Sequence, residues 1–261
     1  MGKIKRYASF LFLPLFVVFT YVFMYVPIVV LVVYSFNKSS LPYMWTSFSV
    51  DWYRTLFYSS AILDAFKNSM LVAFGAVVLS LLMSVLLVVG LVELRIERLL
   101  TMFYGTLIFP EIVLGVSLLS IFVFFSVPLG IVTLIVGHTL FGLAYSVPII
   151  YSRYKEINKY FIEASMDLGA TPTQTFFRIT LPMLKPALFV SGLLVFIISL
   201  DDFLIAFFCS SVSSQTLSLY IFSMLRSGVS PVVNALSTIM LLVTSVVVLV
   251  LSSINNRIRI F

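Results

Sequence analysis

Six runs of apolar residues separated by charged stretches dominate the sequence: residues 9–34, 68–92, 100–125, 130–151, 186–208 and 232–254. A hydrocarbon core of about 30 Å takes roughly 20 residues of helix, so each run crosses with some tilt. In lipid every backbone N–H and C=O must be paired within the protein, which leaves only helices or closed barrels. Barrel strands alternate apolar and polar residues over about ten positions, and these runs do not alternate. The chain is read as an all-α membrane protein with six transmembrane helices. Composition agrees: 61% of the 261 residues are hydrophobic, 10% are charged and 26 are Phe. A mean hydropathy of +1.16 excludes a soluble domain, and we expect a single transmembrane domain over residues 1–261.

The net charge of +6 belongs to residues flanking the runs, where it acts as a topology signal rather than a nucleic-acid surface. Lys3, Lys5, Arg6, Arg95, Arg98, Arg153, Lys155, Lys159, Arg178, Lys185, Arg257 and Arg259 fall on one side. Only Lys38, Arg54, Lys67 and Arg226 fall on the other, which predicts that both termini are cytoplasmic. The basic start mimics a signal peptide, but its apolar stretch is long and lacks a small-residue cleavage site, so a retained first span is expected. Two outer loops are substantial, residues 35–67 and 209–231, while 126–129 is a tight turn that makes spans three and four a hairpin. Pro14, Pro27, Pro110 and Pro148 predict kinks inside spans. Cys209 is the single cysteine, so an intramolecular disulfide and a multi-cysteine metal site are excluded.

The one long inner loop covers residues 152–185. Helix formers run to Leu168, Gly169 can supply a positive-φ C-cap, and Thr171 with Pro172 forms an N-cap followed by Pro at the first helical position. The expected structure is helix, sharp turn, then a second short helix over 172–181, after which Pro182 and Pro186 redirect the chain into span five. Its apolar positions Phe176, Phe177, Ile179 and Leu181 call for a docking surface. The loop resembles the EAA motif of permease subunits of bacterial ABC importers: Glu-Ala-Ala, three residues, Gly, nine residues, Ile, one residue, Leu-Pro. Glu163, Ala164, Gly169, Ile179, Leu181 and Pro182 match at that spacing, and Ser165 stands where the motif has Ala. The resemblance implies a type I ABC importer permease fold, with this loop as the coupling helix seated on an ATPase subunit. The bland alternative is an amphipathic loop helix on the membrane surface.

Three ionisable residues lie deep within the spans, and all are acidic: Glu111 in span three, Asp201 and Asp202 in span five. At about 1.5 Å per residue, Glu111 stands about 18 Å from the inner end of its span and Asp201 about 22 Å above Pro186, so the levels match. Each carboxylate costs about 2.5–3.5 kcal/mol at the membrane centre unless it meets water or a cation. An acidic path favours cationic cargo and opposes anions. Neighbouring helical residues point about 100° apart, so one of Asp201 and Asp202 faces a path while the other caps a break in the span or stays protonated. For all three acids a structural role at a helix interface is the alternative. His138, the only histidine, is read as a packed helix residue, and Trp45 and Trp52 as interfacial anchors or partner contacts.

The runs Ser199 to Phe203, Ile221 to Met224 and Gly228 to Leu236, with the segments around Trp52 and Pro148, are similar to the second permease of spermidine/putrescine importers. That resemblance implies polyamine cargo, a second permease subunit, two ATPase copies and an extracytoplasmic binding protein, in the bacterial inner membrane. The chain has no Gly-rich loop ending in Gly-Lys-Ser/Thr, so ATP and Mg belong on the ATPase and no cofactor is expected in this chain. The competing readings are a self-sufficient channel or ion-coupled carrier, and an integral membrane enzyme. The coupling-loop spacing argues against the first, and the lack of a His, Cys or metal cluster against the second.

Overall fold

The computed structural model describes residues 2–39, 44–94, 97–227 and 231–258, and its regular structure is helical. The α-helices are α1 (Gly2–Tyr34), α2 (Asp51–Tyr58), α3 (Ser60–Glu93), α4 (Met102–Thr106), α5 (Glu111–Phe124) and α6 (Ile131–Glu156). They continue as α7 (Lys159–Asp167), α8 (Pro172–Thr175), α9 (Leu181–Asp201), α10 (Leu204–Cys209), α11 (Leu217–Ser227) and α12 (Pro231–Ile258). Arg95, Arg259 and residues 228–230, used in the topology and family readings, lie outside the described residues.

The helices fall into two compact units, one of Met1–Ser60 with Ser223–Val243 and one of Ala61–Phe222 with Thr244–Phe261. In the first, the Pro14–Tyr34 segment of α1 is strongly apolar and buries no residue within the chain. The loop after it is tied by its own polar groups. Asn37 donates from Nδ2 to the Met44 carbonyl at 2.6 Å and accepts from the Thr46 N–H at 3.1 Å. The Trp52 indole donates to the Asn37 carbonyl at 2.7 Å. Phe36 stacks on Phe48, with ring centroids 5.3 Å apart. Trp52 is thus a tether within the loop, whereas Trp45 meets Tyr34 edge-on.

In the second unit α6 is the central helix, and two-thirds of its spanning segment is buried. Small residues let its neighbours approach closely, the usual device where lipid gives no hydrophobic drive between helices. A Cβ on Gly142 would stand 2.5 Å from the Ser80 hydroxyl of α3 and 2.9 Å from Val195 of α9. Ser80 donates to the Thr139 carbonyl at 3.1 Å, and the Ser84 and Ser146 hydroxyls bond at 2.5 Å. One apolar cluster, with Val88, Leu100, Val147, Ile150 and Leu184, joins α3, α6 and α9. A second, with Val72, Leu118, Leu134, Ile205 and Cys209, joins α3, α5, α6 and α10.

Several expectations are corrected. Pro110 marks a helix start rather than a kink. Span three is broken: the segment Arg98–Thr106 ends before Pro110 and makes an angle of 106° with Glu111–Phe124, and Pro110 serves as the N-cap of α5. Residues 172–181 are not a separate helix, and Pro182 and Pro186 do not redirect the chain. A π-helical segment, Phe176–Thr180, joins α8 to α9, giving one apolar helix over Pro172–Asp201. Pro182 and Pro186 both lie within that helix, just after the π segment. Span five ends at Asp201 rather than running through to 208, and restarts as α10. The second span begins within the first outer loop, at Ser60, and the second outer loop carries α11. Among the described residues four helices are long and apolar enough to cross a membrane, or five if the bent α4–α5 pair is one span.

Candidate functional site

The loop that carries the motif folds as its turn chemistry requires. Asn158 caps α7 by accepting from the Tyr160 N–H at 3.0 Å. Gly169 adopts φ +88°, a conformation that is cheap only without a Cβ, and the Ala170 N–H returns to the Ser165 carbonyl at 3.1 Å, closing the αL end of α7. Thr171 then accepts from the Gln174 N–H at 3.3 Å while the Gln174 side chain accepts from the Thr171 N–H at 3.0 Å, a complete capping box. Ser165, the departure from the motif, bonds the Thr175 hydroxyl at 2.9 Å and staples the two short helices. Glu163, Ala164 and Gly169 are exposed on this turn, as are Leu168 and Phe177. Ile179, Leu181 and Pro182 are half-buried where α8 merges into α9. The Arg153 guanidinium donates to the Met183 carbonyl at 3.3 Å, binding α9 to α6. The turn is therefore built onto the N-terminal end of the helix that carries Asp201 at its other end.

At that other end, Asp202 is the corner of the break. Its carboxylate caps α10, accepting from the Ile205 N–H at 3.3 Å and the Ala206 N–H at 2.9 Å. Its carbonyl, freed by the break, accepts from the Ser218 hydroxyl of α11 at 2.5 Å. Irregular backbone at membrane depth survives only when its polar groups are satisfied in this way. Glycines give α10 its place. A Cβ on Gly115 of α5 would stand 2.7 Å from Phe208, and one on Gly137 of α6 would stand 2.7 Å from Ile205. At the far end of α10 the Thr133 hydroxyl donates to the Cys209 carbonyl at 2.8 Å.

Asp202 is 5% exposed, whereas Asp201, the last residue of α9, is exposed. Glu111, half-buried at the start of α5, has its carboxyl within hydrogen-bonding reach of Asp202 and within electrostatic range of Tyr145 on α6. The two chain breaks thus bring Glu111 and Asp202 together although 91 positions separate them (202 − 111). The C-terminal end of α9 carries partial negative charge and no basic residue in its last turn, which adds to the attraction for a cation at Asp201. His138, set aside in the sequence, belongs to the same corner. Its Nδ1 lies 2.8 Å from the Ser199 hydroxyl and its Nε2 lies 3.4 Å from an Asp202 oxygen. The i, i+3 spacing of Ser199 and Asp202 was the available signal, since it puts both on one face. Among the described residues no group of His, Cys, Asp and Glu is arranged to hold a metal.

Apolar spans, one broken at an acidic corner, and a capped turn continuous with that broken span define a membrane permease. The chain belongs to the family described as binding-protein-dependent transport system inner membrane component, whose model matches residues 76–259. It is 37% identical over 240 residues to the spermidine/putrescine transport system permease protein PotC of Haemophilus influenzae, covering 91% of this chain and 93% of that one. It is likewise 37% identical over 231 residues to the putrescine transport system permease protein PotI of Escherichia coli, covering 85% and 82%. A bacterial ABC transporter involved in the import of the acidic polysaccharide alginate shares the fold at a TM-score of 0.77, with 18% identity and 98% of both chains covered. The MetNI methionine ABC transporter aligns at a TM-score of 0.56 over 75% of this chain and 93% of that one, with 19% identity. The protein is a multi-pass inner-membrane transport subunit and not an enzyme. In such systems a substrate-binding protein and a separate ATPase complete the importer.

Proposed function

We propose that this permease carries polyamines, spermidine or putrescine, inward by alternating access. It would form half of a heterodimeric path with a second permease, with two ATPase copies holding ATP and Mg inside and a polyamine-binding protein delivering cargo outside. The observation that carries the reading is the acidic corner, where Glu111, Asp201 and Asp202 come from two broken spans with no basic residue in the apolar runs around them. Such a site attracts an alkylammonium and repels an anion. The named relatives support the same cargo, whereas the alginate importer shows that this fold alone does not select the sign of the cargo. Asp201 and Glu111 are assigned to meet the cation, and Asp202 to hold the corner that presents them.

The inner turn is assigned to the ATPase. Glu163, Ala164 and Gly169 form its exposed tip, Ser165 staples it to α8, and Ile179, Leu181 and Pro182 carry its movement into α9. Because α8, the π segment and α9 are one helix, a push on the turn is delivered along about 45 Å of helix to Asp201, at about 1.5 Å for each of 30 residues. Six spans with both termini cytoplasmic complete the proposed topology. The test is uptake of radiolabelled spermidine and putrescine by cells lacking their own importer, supplied with this chain and its genomic neighbours. ATP-dependent uptake supports the assignment; an assembled, ATP-hydrolysing complex that takes up neither polyamine refutes the cargo.

A further inference from the structure

The corner at Asp202 contains one buried polar atom without a partner. His138 is 2% exposed, and its Nε2 makes no hydrogen bond although an Asp202 oxygen lies 3.4 Å away. The ring is oriented from its other side, with the Ser199 hydroxyl 2.8 Å from Nδ1. When Ser199 donates to Nδ1, the ring proton sits on Nε2 and faces the carboxylate. Buried N–H groups left without an acceptor are rare because their desolvation is uncompensated. Here an acceptor exists but is not engaged: the Asp202 oxygen nearest Nε2 accepts from the Ala206 N–H at 2.9 Å and, as a carboxylate oxygen, can accept a second bond. A shift of well under 1 Å would bring Nε2 to ordinary hydrogen-bonding distance. Asp202 lies in the break between α9 and the six-residue α10 and caps α10 with its carboxylate, so the carboxylate moves with that helix.

We propose that His138 is a positioning residue of the cation path: a further partner of the Asp202 carboxylate, supplied by α6 beside the N–H groups of α10, disengaged in the state described here and engaged when α10 shifts during transport. The inference rests on the cation-path reading and adds a part to it. Asp202 follows Asp201 directly, so holding one carboxylate on α6 fixes where the other meets cargo. His138 touches no cargo itself. An apolar side chain would fill its space but could not hold Asp202, whereas an amide of suitable reach could.

The experiment uses the assembled importer in proteoliposomes, comparing His138→Leu with His138→Gln for spermidine uptake and for ATPase stimulation by the loaded binding protein. Leu is expected to lower uptake roughly ten- to hundredfold, the range of one hydrogen bond to a charged group, and to abolish stimulation while basal hydrolysis persists. Gln is expected to restore most of both. Wild-type behaviour of the Leu variant, or equal loss in Leu and Gln with assembly intact, overturns the proposal. If the Leu variant does not assemble, Ser199→Ala decides: lost stimulation with normal assembly supports the orienting role, and unchanged stimulation refutes it. Failure of wild-type uptake with ATPase stimulation intact would sink the polyamine reading alone, leaving the variants' stimulation to judge His138.

Discussion

At the residue scale, the two neighbouring aspartates have separate duties, and the difference is measurable. Asp201 is exposed at the end of α9, whereas Asp202 is buried and caps α10 twice. We expect Asp201→Asn to reduce uptake of cationic cargo at least tenfold with normal complex yield and unchanged basal ATPase activity. Parallel loss of uptake and basal ATPase would assign it a structural role instead. Asp202→Ala removes the cap and leaves two N–H groups unsatisfied, costing about 1–2 kcal/mol, so its thermal midpoint in detergent should fall where that of Asp201→Asn does not. The division could not be read from the chain, because two adjacent acids look alike until a break gives one of them a helix to cap. The sequence did admit the possibility, since a capping role for one of the pair follows from their 100° divergence.

At the scale of elements, the short pieces are held by glycines at two kinds of position. Gly137 is a contact glycine: an added Cβ would lie 2.7 Å from Ile205 Cγ2 and 3.4 Å from Leu118. Gly137→Ala should therefore force α10 away from α6, at about 1–3 kcal/mol for overpacking, read as a lowered unfolding midpoint and impaired uptake. Gly169 is a conformational glycine: nothing stands within 4 Å of its Cβ position, yet φ is +88°. Gly169→Asp is expected to strain the turn by about 1 kcal/mol and to add a negative charge at the C-terminal end of α7, where the dipole disfavours it. Membrane insertion should be normal and uptake abolished; normal uptake would refute the coupling assignment. The turn was legible in the sequence because Gly169, Thr171 and Pro172 act locally. The merger of α8 with α9 was not, because a π segment lets Pro182 and Pro186 be absorbed into one helix rather than end it.

At the scale of the whole molecule, the chain is one subunit of a machine powered elsewhere. Purified alone it should hydrolyse no ATP and move no cargo, and co-expression with its ATPase should give a complex whose hydrolysis responds to the binding protein; ATPase activity in the isolated chain would contradict the permease assignment. The sequence by itself determined the membrane class, through apolar runs whose backbone can be paired only in helices. It also determined the family, through a loop motif with residue-by-residue spacing, and the acidic character of the interior. These are properties of composition and local order, which need no knowledge of what lies opposite. The tertiary structure alone decided which runs are broken, which acid caps and which is exposed, and that His138, Ser199, Glu111 and Asp202 meet at one corner. Those depend on contacts between residues tens of positions apart, made possible where a glycine lets one helix approach another and a break turns a backbone end toward a carboxylate.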